Sequence, residues 1–222
     1  MKKGLLAVLM AVALIVPAFA AEKGSMEIVG KIGLNLNPNV AASGELAKNG
    51  EFKPFVYGDC DCDVNKSVLI GAEFFYYLKK NFALGFGINN NFDADLQDLQ
   101  NGDLKFNSEI GFTNFYFAVK PKIELKSEAF KSIYFLGQLG YGLLRFDSTY
   151  KIGDNNEEKL SEADGNGLYW GIGVGSELRE NFIVELLYSV NYGSTKEKFV
   201  TGRAADLTYK TLTLNIGYKF AL

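Results

Sequence analysis

Histidine is absent from this 222-residue chain. That removes the one side chain whose ordinary pKa puts a proton in play near neutrality. A serine nucleophile would have to use a lysine or carboxylate as its base, and no pair in the sequence suggests one. No catalytic residue is assigned, and the chain reads as a non-enzyme. Proline occurs only four times and cysteine twice. Beyond residue 20 no uninterrupted apolar run reaches helix length, which excludes helical membrane spans. Only a closed β-barrel could place such a chain in a bilayer.

The first twenty residues are of another kind. Lys2 and Lys3 precede an uncharged apolar run from Leu5 to Val16, closed by Pro17 and the small-x-small sequence Ala18-Phe19-Ala20. This pattern predicts a cleaved export signal over 1–20 and a mature domain over 21–222. No cysteine follows the run, so a lipoprotein signal is not expected. Removing Lys2 and Lys3 leaves 21 basic against 26 acidic residues. An acidic chain of this kind lacks the basic surface that a nucleic-acid partner needs.

Period-two alternation runs through the remainder and marks eight strands. It is clearest at the end, where Leu212, Leu214, Ile216, Tyr218, Phe220 and Leu222 alternate with Thr213, Asn215, Gly217 and Lys219. The first strand is read as Met26 to Asn37 and the second as Val68 to Lys79, followed by a tight turn at Lys80-Asn81. The third starts at Phe82. The fourth puts Phe115, Phe117, Val119, Pro121 and Ile123 on the apolar face, with Asn114, Tyr116, Lys120 and Glu124 opposite. Ile110 and Phe112 fit the reverse register, which predicts a bulge near Thr113. In the fifth, Ile133, Phe135, Leu139, Tyr141 and Leu143 are taken as outward, although Tyr134, Leu136 and Leu144 fit the other register. The sixth and seventh centre on Trp170-Ile172-Val174 and on Val184-Leu186-Tyr188.

Connection lengths alternate. Turns near Lys80, Ser127 and Glu180 are short, whereas 38–67, 91–107, 147–166 and 193–206 are long. An up-and-down membrane barrel has this form, with short periplasmic turns and long external loops. A soluble barrel would share the alternation but turn its apolar face inward. Aromatic residues near strand ends and glycine on the polar face favour the membrane form.

Six charged residues fall on inward positions: Glu27, Lys31, Glu73, Lys120, Glu177 and Glu185. An eight-stranded barrel is narrow enough for side chains to fill it, so these charges are expected to pair into a structural plug. Asp59-Cys60-Asp61-Cys62-Asp63 leaves three readings open. Cys60 and Cys62 could form a strained disulfide in an oxidising compartment, the motif could be a plain acidic loop, or it could hold a thiophilic metal. The metal reading lacks the ligands of a closed zinc site, so no metal or cofactor is assigned. The second and third loops are acidic, through Asp93, Asp95, Asp98 and Asp103, and through Asp154, Glu157, Glu158, Glu162 and Asp164. They suit solvent, or divalent cations in a lipopolysaccharide layer.

With its leader, eight alternating strands, four long loops and aromatic last strand, the chain resembles the small outer-membrane β-barrel superfamily. That group includes the OmpA-like transmembrane domain, OmpX and the opacity proteins. The resemblance spans the mature chain and implies an all-β, eight-stranded antiparallel barrel in the cell outer membrane. It also implies a monomer contacting outer-membrane lipid and lipopolysaccharide, whose last strand is the signal read by the barrel-assembly machinery. The implied role is structural or adhesive, through loops that meet a host or surface ligand, with a narrow channel for ions or small solutes as the alternative. The enzymes among such barrels (lipid A deacylases and palmitoyltransferases, the outer-membrane phospholipase, the omptins) use histidine, which this chain lacks. It also ends in Leu222 where the family usually ends in phenylalanine, and no peptidoglycan-binding domain follows the eighth strand.

Overall fold

Alternating chains pair antiparallel wherever a short turn returns one strand beside the last. The computed structural model describes residues 23–48, 51–60, 67–101, 104–127, 129–152, 158–178, 181–195 and 206–222. The predicted leader lies outside them. Ten strands form: β1 (Met26–Asn35), β2 (Asn39–Lys48), β3 (Glu51–Cys60), β4 (Val68–Lys79), β5 (Phe82–Asn101), β6 (Leu104–Glu124), β7 (Phe130–Ile152), β8 (Glu158–Leu178), β9 (Phe182–Thr195) and β10 (Asp206–Ala221).

Eight of them make a closed ring. β1 pairs with β4, each strand from β4 to β10 pairs with the next, and β10 returns to β1 with Glu27 opposite Ala221 and Asn35 opposite Thr213. The expected eight-stranded, all-antiparallel barrel is what the chain forms. β2 and β3 are a hairpin inside the first long connection. β2 takes up β10 where β1 leaves it, with Lys210 opposite Asn39 and Asp206 opposite Ser43.

The long connections differ from the loops read from sequence. β5 and β6 stay paired up to Asn101 opposite Leu104, and β7 and β8 up to Tyr150 opposite Glu158. These segments are arms of sheet rising beyond the barrel. At the other end the connections are short, and Asn181, at φ 67°, turns β8 into β9. Asparagine is among the residues that tolerate this left-handed backbone.

Which face is outside separates a membrane barrel from a soluble one. Phe117 is 79% exposed on β6, while its neighbours Tyr116 and Ala118 are buried. Leu34, Phe86, Leu139, Ile172 and Ile216 repeat the pattern around the ring. The polar face is interior, as lipid around the barrel requires. On β7, Ile133, Phe135, Leu139, Tyr141 and Leu143 face out, and Tyr134, Leu136 and Leu144 face in.

Two local readings are corrected. The bulge expected near Thr113 is absent, because Leu104 to Val119 pairs with β7 without a break. Ile110 and Phe112 face inward on the same alternation as Asn114 and Tyr116. The irregularities lie instead on the β5 side, between Asn91 and Ala94 and between Leu96 and Leu99. Glu124, read as inward, is exposed at the rim, where it pairs with Lys80 at 2.9 Å. It sits beside the β6–β7 turn, past the filled part of the interior.

Candidate functional site

Inward side chains of a ring this narrow meet across it, so the interior is the one place where residues from all eight ring strands can act together. The six charges singled out from sequence are all buried there, and Lys122 and Lys219 join them. Four glutamates therefore face four lysines among the described residues. The alternation that selects Lys120 also selects Lys122, two residues on, and Lys219 lies on the polar face of the last strand. Both are legible from the alternation, although the expected cluster of six does not include them.

The charges form two nodes. Near the short turns, Lys120 donates to Glu27 at 2.6 Å and to Glu177 at 3.3 Å, and Lys219 donates to Glu177 at 2.8 Å. Lys122 lies 3.6 Å from Glu177. Farther in, Lys31 donates to Glu73 at 2.8 Å and to Glu185 at 3.0 Å. Tyr134 joins the nodes: its hydroxyl donates to Glu185 at 3.2 Å, and the Lys120 ammonium lies 4.5 Å from its ring centroid. Such pairing and hydrogen bonding is the condition under which a low-dielectric interior tolerates charge.

Neutral residues complete the nodes. Tyr77 donates to Glu27, Tyr116 and Gln138 to Glu73, and Asn215 to Glu185, at 2.8–2.9 Å. Beyond them Asn35 donates to Ser67 and Asn91 and accepts from Thr213. Toward the arms the interior turns apolar: Val40, Ile110, Phe112, Leu144, Leu207 and Tyr209 form one buried cluster. Phe112 and Tyr209 stack with centroids 5.4 Å apart. From turns to arms the polar filling runs from ionic to amide, with Val29, Phe75, Leu136, Ile183 and Leu187 of another apolar cluster packed around the ion pairs.

Glycine makes room for the tyrosines. A Cβ on Gly87 would lie 2.6 Å from the Tyr116 ring, and one on Gly175 would lie within contact of Tyr134. Gly175→Ala is expected to displace Tyr134 from Glu185 and destabilise the barrel by about 1–3 kcal/mol, the usual range for overpacking. Urea unfolding from lipid vesicles measures it. Gly30→Ala is the control, since a Cβ there meets nothing within 4 Å, and it should be near neutral.

The other marked residues are not brought into this site. Leu212, Leu214, Ile216, Tyr218, Phe220 and Leu222 face outward on β10 and beyond its end. Tyr218 packs on Phe182 and Phe220, with centroids 5.3 and 4.8 Å away, as an aromatic girdle at the turn end. Cys60 closes β3, and Cys62 lies outside the described residues.

A closed antiparallel barrel with an apolar exterior and a charged, paired interior defines a membrane β-barrel. The chain matches the outer membrane protein beta-barrel domain over residues 5–220 and belongs to that family, and its place is the outer membrane. No curated protein matches it. Among solved structures it is similar to the outer membrane protein OprG of Pseudomonas aeruginosa, with a TM-score of 0.51 and 14% identity over 92% of this chain and 99% of that one. It is also similar to Ail, the attachment invasion locus protein of Yersinia pestis, with a TM-score of 0.48 and 14% identity over 90% of this chain and 100% of that one.

Proposed function

We propose that the chain is a monomeric, non-enzymatic scaffold of the outer membrane with a closed interior, presenting its β-arms at the cell surface in a structural or adhesive role. One observation carries the closed interior: eight buried charges balance, pair with one another and sit beneath an apolar cluster that spans the ring. Ions would have to break those pairs at one end and cross an apolar constriction at the other, the arrangement that blocks pores by dewetting.

Short turns support a periplasmic position for the ionic end, with the arms outside. Paired strands give those arms a defined surface, and binding surfaces are commonly carried on such projections from a rigid scaffold. Asp95 and Asp98 on β5 and Glu158 and Glu162 on β8 give two of the arms acidic character, suited to divalent cations held by lipopolysaccharide. The outward aromatic face of β10 supports its reading by the assembly machinery. Residues 1–20 are proposed as the cleaved export signal, and Cys60 with Cys62 as a loop disulfide.

Planar-bilayer recording of the refolded mature chain tests the reading. A closed interior yields no steady conductance steps above the bare bilayer. A reproducible ohmic step would overturn it in favour of a narrow channel for ions or small solutes.

A further inference from the structure

The polar filling contains a directed chain of hydrogen bonds. Gln138 Nε2 donates to Glu73 at 2.8 Å, and the Tyr169 hydroxyl donates to Gln138 Oε1 at 2.5 Å. Asn89 Nδ2 donates to the Tyr169 oxygen at 3.3 Å, and Asn114 Nδ2 to Asn89 Oδ1 at 2.8 Å. Every donor points toward the Glu73 carboxylate, an alignment in which successive bonds polarise one another. The chain stops at Asn114 Oδ1, which has no partner among the described residues although Asn114 is fully buried.

Asn191, on β9, is fully buried too, and both its Oδ1 and its Nδ2 are unpartnered. The two amides meet over a glycine. Asn114 on β6 lies opposite Gly142 on β7, and Gly142 lies opposite Gly167 on β8. A Cβ on Gly142 would find Asn114 Oδ1 at 2.7 Å, Asn191 Oδ1 at 3.0 Å and no other neighbouring group nearer than 3.9 Å. Two orphan acceptors thus converge on a hollow beside Gly142, near enough that a methyl group on this residue would crowd both.

We infer that this hollow is a binding site for a resident water molecule, which donates one hydrogen bond to Asn114 Oδ1 and the other to Asn191 Oδ1. Two donors on one neutral molecule match two acceptors. A cation would need more oxygen ligands than converge here, and would upset an interior whose four lysines already balance its four glutamates. Leaving both acceptors dry would forfeit their hydration with nothing in return, whereas buried polar groups in folded proteins are normally met by protein or ordered water. The water extends the chain from Glu73 across the glycine row and ties β6 to β9 through the interior.

The test uses the refolded mature chain in lipid nanodiscs. Water-to-amide cross-relaxation should appear at the side-chain amides of Asn114 and Asn191 with the sign of a long-lived water. Gly142→Ala, which fills the hollow, should abolish it, while Gly30→Ala keeps it. Should Gly142→Ala fail to fold, Asn191→Leu keeps the question open. Losing a water-bonded amide lowers the urea midpoint, whereas losing a dry one leaves it unchanged or raises it. The proposal is overturned by missing cross-relaxation in the parent, by a direct bond between the two amides, by amide shifts that follow sodium concentration, or by an Asn191→Leu midpoint at or above the parent's.

Discussion

Lys31→Met is expected to destabilise the folded barrel by about 3–5 kcal/mol, the range for removing one partner of a buried ion pair. Lys31 is the only cation bonded to Glu73 and Glu185 among the described residues. Methionine keeps most of the side-chain volume, so the loss is chiefly one of charge. Two carboxylates would then share a buried pocket, with Tyr116, Gln138, Tyr134 and Asn215 donating to them among the described residues. Trp170, the only tryptophan, reports unfolding in urea from lipid vesicles, and unboiled gel mobility confirms that each variant folds. The triple variant Lys31→Met/Glu73→Gln/Glu185→Gln should recover most of the loss, because a neutral, hydrogen-bonded node leaves no charge stranded. A triple variant as unstable as the single one would assign the effect to packing and sink the electrostatic account.

That prediction draws on contacts only partly legible in the sequence. Alternation placed Lys31, Glu73 and Glu185 on the inner face, because one apolar face per strand is what lipid demands. Which of them meet was not legible. Lys31 and Glu185 are 154 residues apart, on strands separated by β10, and their meeting depends on strand tilt and on how side chains fill a narrow ring. The arms are hidden in the sequence for a different reason. Above the membrane neither face meets lipid, so hydrophobic alternation fades while backbone pairing continues from Asn91 to Asn101. Ile110, Phe112 and Leu144 fit the wrong register only where the inner face is taken as wholly polar. They are the apolar end of the filling.

The lipid face yields the other large effect. Ile172 is 59% exposed, and on β8 it lies about midway along the stretch of nine to eleven residues that a tilted crossing needs, measured from Leu178. Ile172→Arg should destabilise the barrel by about 2–4 kcal/mol, the toll for arginine near the bilayer midplane. Tyr192→Arg, outward near the arm end of β9, should cost about 0–1 kcal/mol, since the penalty falls toward the interface. Alternation alone suggests the inward Ser189 as a mild site for the same change, but the structure removes that choice. Ser189 is 1% exposed between Gly171 and Thr211, and an arginine there meets a filled interior rather than water. The informative comparison is therefore one of depth on a single face, read as urea midpoints in bilayers of fixed thickness. Equal losses at Ile172 and Tyr192 would mean that the bilayer does not sit where the apolar band places it.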